Sequence, residues 1–247
     1  MRVLGIIPAR YGSSRFPGKP LAMIGDMTMI HRTYNQVMKS SLDAVVVATD
    51  DVRIYDEVKG FGGSAVMTRT DHRSGTDRCQ EALDTVGENF EAVVNIQGDE
   101  PFIDPRQIDL VAGLIRHEEV RLATLAKVID NTETLLNPNV VKVVIDNKGD
   151  ALYFSRHPVP YVRGVAPEQW LRQTVFYQHI GMYAYKAEAL REVAALPAGR
   201  LEQAESLEQL RWLENGLRIR VAVSDIHNGL AIDTPSDLDN IPKEWLL

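Results

Sequence analysis

The 247-residue chain contains a single cysteine, Cys79. One thiol excludes an internal disulfide framework and fits a reducing compartment. Cys/His spacing of the metal-binding kind is missing as well. The first apolar run, "VLGIIPA" at 3–9, is too short to span a membrane and lacks the charge and cleavage pattern of a signal peptide. These absences lead us to expect a cytoplasmic protein with no membrane partner. No internal repeat, low-complexity tract or interdomain linker divides the chain, and 45% hydrophobic with 25% charged residues is ordinary for one large globular unit.

Acid is missing from one place where it should be plentiful. The chain carries 34 Asp and Glu against 27 Lys and Arg, a formal charge of -7, which argues against nucleic acid as the main partner. Yet residues 1–25 hold Arg2, Arg10, Arg15 and Lys19 and no carboxylate. A local potential that opposes the global one suits a small, strongly anionic ligand.

Two familiar phosphate-binding fingerprints are also absent. In "ARYGSSRFPGKP", residues 9–20, five residues separate Gly12 from Gly18, and Pro20 follows Lys19. A Walker A loop needs four, then Ser or Thr for magnesium. No Gly-x-Gly-x-x-Gly opens a helix, so a dinucleotide-dependent dehydrogenase is excluded too. What remains is a tight loop in which Arg10, Arg15 and Lys19 surround a polyphosphate, with Pro17 and Pro20 restricting the backbone.

Apolar, β-branched runs at 3–9, 44–50, 92–99 and 123–128 alternate with helix-like stretches. Continuous rather than alternating hydrophobicity predicts strands covered on both faces, hence a doubly wound, mostly parallel sheet whose ligands sit at the strands' carboxyl ends. Ser74 followed by Asp77 predicts a capping box opening a helix on which Cys79, Leu83 and Val86 face the core. Beyond residue 130, "VVKVVIDNKGDALYFSR" predicts a hairpin turning at 146–149, so an inserted β-rich subdomain is expected at about 130–190. Residues 157–175 read as loop, 201–215 as one helix and 218–223 as a strand.

Two strand ends carry acids suited to a hard cation. Asp99 follows Gly98 in "NIQGDEP", and Asp233 precedes Thr234 and Pro235 in "AIDTPSDL", with Asp237 capping the last helix. Two carboxylates from distant segments together with a triphosphate would complete a magnesium site. The remaining histidines, His31, His72, His117, His157 and His227, are too scattered to suggest another.

Eight ordered segments, "IIPARYGSSRFPGKPL", "VVVATDD", "SGTDR", "NIQGDEP", "ALYFSR", "HIGMYAY", "ESLEQLR" and "AIDTPSDL", closely resemble the 3-deoxy-manno-octulosonate (Kdo) cytidylyltransferases over about residues 3–240. The resemblance implies a single Rossmann-like domain of nucleotidyltransferase type over 1–247. In it, the insertion serves sugar binding and dimerisation. It also implies transfer of CMP from CTP to the anomeric C2 hydroxyl of Kdo, with Mg2+ as cofactor, a homodimer as working form and a role in lipopolysaccharide assembly.

By the same resemblance, Arg10, Arg15 and Lys19 bind the triphosphate and Asp99 and Asp233 hold magnesium. Gln97, Arg156, His179, Tyr183 and Glu208 take the sugar, with Arg156 the candidate for its carboxylate. Arg78 lies near the phosphates or the sugar acid, and the segment around Ser74 and Gly75 helps select cytosine. The residues alone leave other readings open: Glu205, Glu208 and Arg211 can form a solvated salt-bridged stripe, the basic loop and the strand-end Asp also suit sialic acid as acceptor, and the motif-free loop "HPVPYVRGVAPEQW" leaves 8-amino-Kdo open. A non-catalytic CTP sensor is the rival from another class, and it would have no use for two metal-binding acids.

Overall fold

The computed structural model describes residues 1–12, 16–87, 89–226, 229–230 and 232–245. The first apolar run becomes β1 (Val3–Ala9), followed by a two-strand ribbon, β2 (Met23–Ile24) and β3 (Met27–Thr28), and by α1 (Met29–Val37). Then come β4 (Ala44–Thr49), α2 (Val52–Gly60), β5 (Ala65–Met67), α3 (Gly75–Val86), β6 (Ala92–Asn95), α4 (Pro105–Ile115), β7 (Leu122–Val128) and α5 (Thr132–Leu136). The later part comprises β8 (Lys142–Ile145), β9 (Ala151–Ser155), β10 (Tyr177–Lys186), α6 (Ala187–Ala195), α7 (Arg200–Glu205), α8 (Gln209–Glu214) and β11 (Arg220–Val223). Short 3-10 turns occupy Lys19–Leu21, Pro167–Arg172, Pro235–Asn240 and Lys243–Trp245.

The main sheet runs β11-β7-β10-β6-β1-β4-β5. The β1–β4, β1–β6, β4–β5 and β7–β11 pairs are parallel, while β10 lies antiparallel between β6 and β7. Unbroken apolar runs follow from burial of both faces. On β1, Val3, Ile7 and Ala9 join Ile30 and Val37 of α1, Ile54 of α2 and Ile108 of α4 in one core, whereas Leu4 and Ile6 join Cys79 and Leu83 of α3, Leu190 of α6 and Trp212 of α8 in the other. The mostly parallel, doubly wound sheet is as the sequence predicts. Cys79 is fully buried, and burial pushes its thiol far above its ordinary pKa, so it packs as a small hydrophobe.

The chain moves from β1 outward to β4 and β5, then returns through α3 to β6 on the other side of β1. The crevice between the carboxyl ends of β1 and β6 is therefore the switch point where such sheets bind ligands. Ser74 caps α3 there: its Oγ accepts from Asp77 N at 3.1 Å and the Asp77 carboxylate accepts from Ser74 N at 3.2 Å.

The β-rich insertion is the β8–β9 hairpin, hydrogen-bonded to the start of β10, so it extends the main sheet. Its turn is as expected, with Asp146 Oδ1 accepting from Lys148 N and Asp150 N, and Gly149 at φ 84°. The helix expected at 201–215 is two helices, broken at Ser206 with φ 51°. Tertiary contacts override helical continuity here. The Glu205 carboxylate accepts from Ser155 Oγ at 2.7 Å and Arg156 N at 2.8 Å, which draws the end of α7 onto β9.

Candidate functional site

A cavity of about 280 Å³ opens at the switch point. Arg10, Lys19, Ser74, Arg78, Gln97, Asp99 and Asp233 all line it, so seven of the expected site residues meet at one place. Arg15 lies outside the described residues.

The basic loop is closed by its own backbone and by a ring. Gly18 N donates to Tyr11 O at 2.9 Å, and Gly18 adopts φ 72°. A Cβ at Gly18 would lie 3.0 Å from the Tyr11 ring, so both conformation and space require glycine. The guanidinium of Arg53 stands 3.4 Å from the centre of that ring and is gripped by Asp51, the N-cap of α2, at 2.9 and 2.7 Å. The Arg53 side chain beside it holds the Asp51 carboxyl below the usual carboxylate range.

Lys19 gathers the two acids. Its Nζ donates to Asp99 Oδ2 at 2.6 Å and to Ile232 O at 2.8 Å, and it lies 3.4 Å from Asp233 Oδ1. Asp233 arrives from 134 positions further along the chain because Ile232 N bonds Asp99 O at 3.1 Å. A small apolar cluster of Ile24, Met29, Ile232 and Ile241 secures that docking. Asp237 accepts from the backbone of Asp233 and Thr234 at 2.8 and 2.7 Å, as the N3 partner of a capping box on Thr234 rather than the cap itself. Gly98 brings the post-β6 loop against the end of β1, where a Cβ would meet Pro8 O at 3.0 Å.

The donor set fits a magnesium ion. Both carboxylates already converge on one cation, the Lys19 ammonium, and they offer the hard oxygens that magnesium takes along with water and substrate phosphates. Among the described residues no group of three His, Cys, Asp or Glu side chains could hold a metal by itself, so phosphate and water oxygens would complete the shell.

Arg78 is buried, with its guanidinium tied to Asp50 Oδ2 at 2.8 Å, to Thr68 Oγ1 and to Arg69 O at 3.4 Å. It braces the cavity wall while reaching its lining. His72 and Arg73, which sequence reasoning did not assign to the site, also line the cavity. His72 Nε2 bonds Glu81, whose carboxylate also takes Arg69 N at 3.2 Å. The cationic run "TRTDHR" just before the α3 cap was the available signal.

Gln97 joins the cavity to β10, its Nε2 donating to Gly181 O at 3.1 Å. The pairing of β10 with β7 slips between Ile180 and Tyr183, and His179 and Tyr183 flank this bulge. Their rings lie 5.3 Å apart, and His179 meets Phe154 edge-on at 5.0 Å. The residue as a whole keeps partial solvent access, but packing around the ring lowers the His179 pKa to about 3, so the imidazole is neutral at physiological pH. The Tyr183 hydroxyl is buried with no hydrogen-bond partner among the described residues, and burial pushes its pKa well up.

Glu208 reaches across from the start of α8. Its carboxylate accepts from Thr76 Oγ1 at 3.0 Å and from Arg211 at 3.1 Å, and burial raises its pKa despite that cation. Glu205 and Glu208 therefore do not form a solvated stripe, because Glu205 is spent on Ser155 and Arg156. Arg156 stands apart from the cavity lining. Its guanidinium donates to the carbonyls of Glu205 at 2.6 Å, Pro138 at 3.2 Å and Ser206 at 3.3 Å.

A basic loop, a capped helix and two strand-end acids around a switch-point crevice define a nucleotide-binding α/β transferase architecture. Residues 4–219 match the cytidylyltransferase family model. The chain is 51% identical to the 3-deoxy-manno-octulosonate cytidylyltransferase of Parabacteroides distasonis, covering 97% of this chain and 96% of the relative. It is 53% identical to that of Bacteroides thetaiotaomicron, over 96% of each. A CMP:2-keto-3-deoxy-manno-octonic acid synthetase solved in complex with CTP superposes with a TM-score of 0.89 at 40% identity, covering 97% of this chain and 96% of that one. The chain belongs to the 3-deoxy-manno-octulosonate cytidylyltransferase family.

Proposed function

We propose that this chain transfers CMP from CTP to the anomeric C2 hydroxyl of Kdo, releasing pyrophosphate. The observation that carries the reading is the convergence of Lys19, Asp99 and Asp233 on one cavity at the switch point. The hydroxyl oxygen forms a bond to the α-phosphorus, the bond from that phosphorus to the bridging oxygen of pyrophosphate breaks, and the hydroxyl proton passes to bulk water. No protein nucleophile is required, so positioning and charge neutralisation dominate.

In this reading Arg10 and Lys19 hold the triphosphate, with Arg15 from the same loop, while Ser74 and the N-terminus of α3 meet the nucleotide. Asp99 and Asp233 would hold Mg2+, which would neutralise the phosphates and acidify the attacking hydroxyl. Lys19 then exchanges part of its contact with the acids for phosphate oxygens. Gln97, His179, Tyr183 and Glu208 receive the sugar's hydroxyls, and the unpartnered Tyr183 hydroxyl supports that assignment. Arg156 reaches the sugar carboxylate only by giving up backbone carbonyls.

The working form is a homodimer. Exposed Val128, Leu136, Leu152 and Val175, all in or beside the β8–β9 region, support a subunit contact there. No described helix is long and apolar enough to cross a membrane. We place the enzyme in the cytoplasm, supplying lipopolysaccharide assembly. The test is pyrophosphate release from CTP and magnesium with Kdo, 8-amino-Kdo or sialic acid supplied separately. Release with Kdo alone is expected, release only with another sugar moves the substrate, and silence with all three from CTP-binding protein favours a sensor.

A further inference from the structure

Thr124, in the middle of β7, is fully buried, and its single hydroxyl serves three neighbours. Its Oγ1 lies 2.7 Å from Met182 O, 3.2 Å from Ile180 O and 3.0 Å from His179 Nε2. The two carbonyls bracket the β10 bulge: Ile180 is the last residue paired with β7 before it, opposite Leu125, and Met182 lies within it.

A hydroxyl has one proton to give and two lone pairs to offer. Were Thr124 to donate to the imidazole, its oxygen would face the Met182 carbonyl at 2.7 Å with no hydrogen between them, which is repulsive. The proton therefore goes to the bulge, toward Met182 O and Ile180 O. A lone pair of Thr124 then faces His179 Nε2, and that contact is attractive only when Nε2 carries the hydrogen. The buried ring is neutral, so Nδ1 keeps the lone pair.

We propose that Thr124 is a positioning residue that fixes His179 as the neutral Nε2–H tautomer, so that the imidazole meets the sugar acid as a hydrogen-bond acceptor at Nδ1. The second half rests on the reading of His179 as a sugar-site residue. It makes His179 a partner for a sugar hydroxyl and excludes it as a counter-ion for the sugar's carboxylate.

The test is nitrogen-15 NMR of the full-length enzyme with labelled histidine, the His179 signals being those lost in His179→Gln. A protonated Nε2 and a bare Nδ1 in the wild type are expected, with the Nδ1 resonance moving when Kdo is added. Thr124→Val should mix the tautomers and lower kcat/KM for Kdo roughly tenfold with the KM for CTP unchanged, and Thr124→Ser should restore both. A wild-type ring protonated at Nδ1, or a Thr124→Val ring still held as Nε2–H, overturns the proposal. Equal losses toward Kdo and CTP in Thr124→Val assign Thr124 to general support of the sheet and overturn its positioning role. An Nε2–H ring whose resonances ignore Kdo removes His179 from the sugar site and overturns the acceptor role, while leaving the tautomer assignment standing.

Discussion

At the cavity rim, Lys19 pairs with both Asp99 and Asp233, one cation against two carboxylates, while part of each acid still faces solvent. Around β10 and α8, the Tyr183 hydroxyl and the Trp212 indole N–H are buried without partners among the described residues, and Glu208 keeps a raised pKa beside Arg211. The rim is a charge cluster with one carboxylate in excess, which a metal and a triphosphate can enter by exchange. In the proposed reading the sugar completes the pairing of the second region's polar groups, the condition under which a site tells one hydroxylated partner from another. On the proposed reading catalytic charge and sugar selectivity are separated, and Gln97, bonded to Gly181, lies between them.

The sharpest way to break this comparison is at the rim. Asp99→Asn should lower kcat on the order of 100-fold or more while the melting temperature stays near wild type, because it alters a strand-end ligand outside the core. Near-normal turnover in steady-state pyrophosphate release would remove Asp99 from the chemistry. Lys19→Ala should raise the KM for CTP by roughly 10- to 100-fold and leave the KM for Kdo much less affected. The reverse order in initial-rate kinetics would mean that the loop serves the sugar.

The second region should answer differently. Tyr183→Phe removes a buried hydroxyl that has no partner among the described residues, so folding stability measured by urea denaturation should change by less than about 1 kcal/mol, or rise. The same variant should raise the KM for Kdo several-fold, and an unchanged KM would take Tyr183 out of the sugar site. The smallest effect is a pH dependence. The folded state holds His179 neutral down to about pH 3, whereas the unfolded chain takes up a proton near pH 6.5. Its contribution to stability is therefore present above pH 6.5 and is lost as pH falls from there toward 3. Between pH 7 and pH 5 the loss should be at most about 2 kcal/mol, and His179→Gln should flatten it in denaturation curves.

The contrast also explains what could be read from residues alone. The rim sits directly after apolar strands, so a loop of cations after β1 and acids after β6 and in "AIDTPSDL" were legible from spacing and charge. The doubly wound sheet was legible for the same reason, since both faces of β1 and β4 are buried. The second region was not, because Tyr183, His179 and Glu208 meet through a β10 bulge and a helix broken at Ser206, which no local periodicity encodes. Only the resemblance of "HIGMYAY" and "ESLEQLR" to family segments marked them. Thr124 carried no signal at all, and a basic run before a helix cap, such as that holding His72 and Arg73, also reads as solvated surface.

In the proposed reaction, acids 134 positions apart form one catalytic centre with Lys19. The most direct measurement is a double-mutant cycle of Asp99→Asn and Asp233→Asn on kcat at saturating CTP, Kdo and magnesium. If both acids hold the same ion, the double variant should be no slower than the slower single variant. Losses that multiply would show two independent roles and contradict the shared centre.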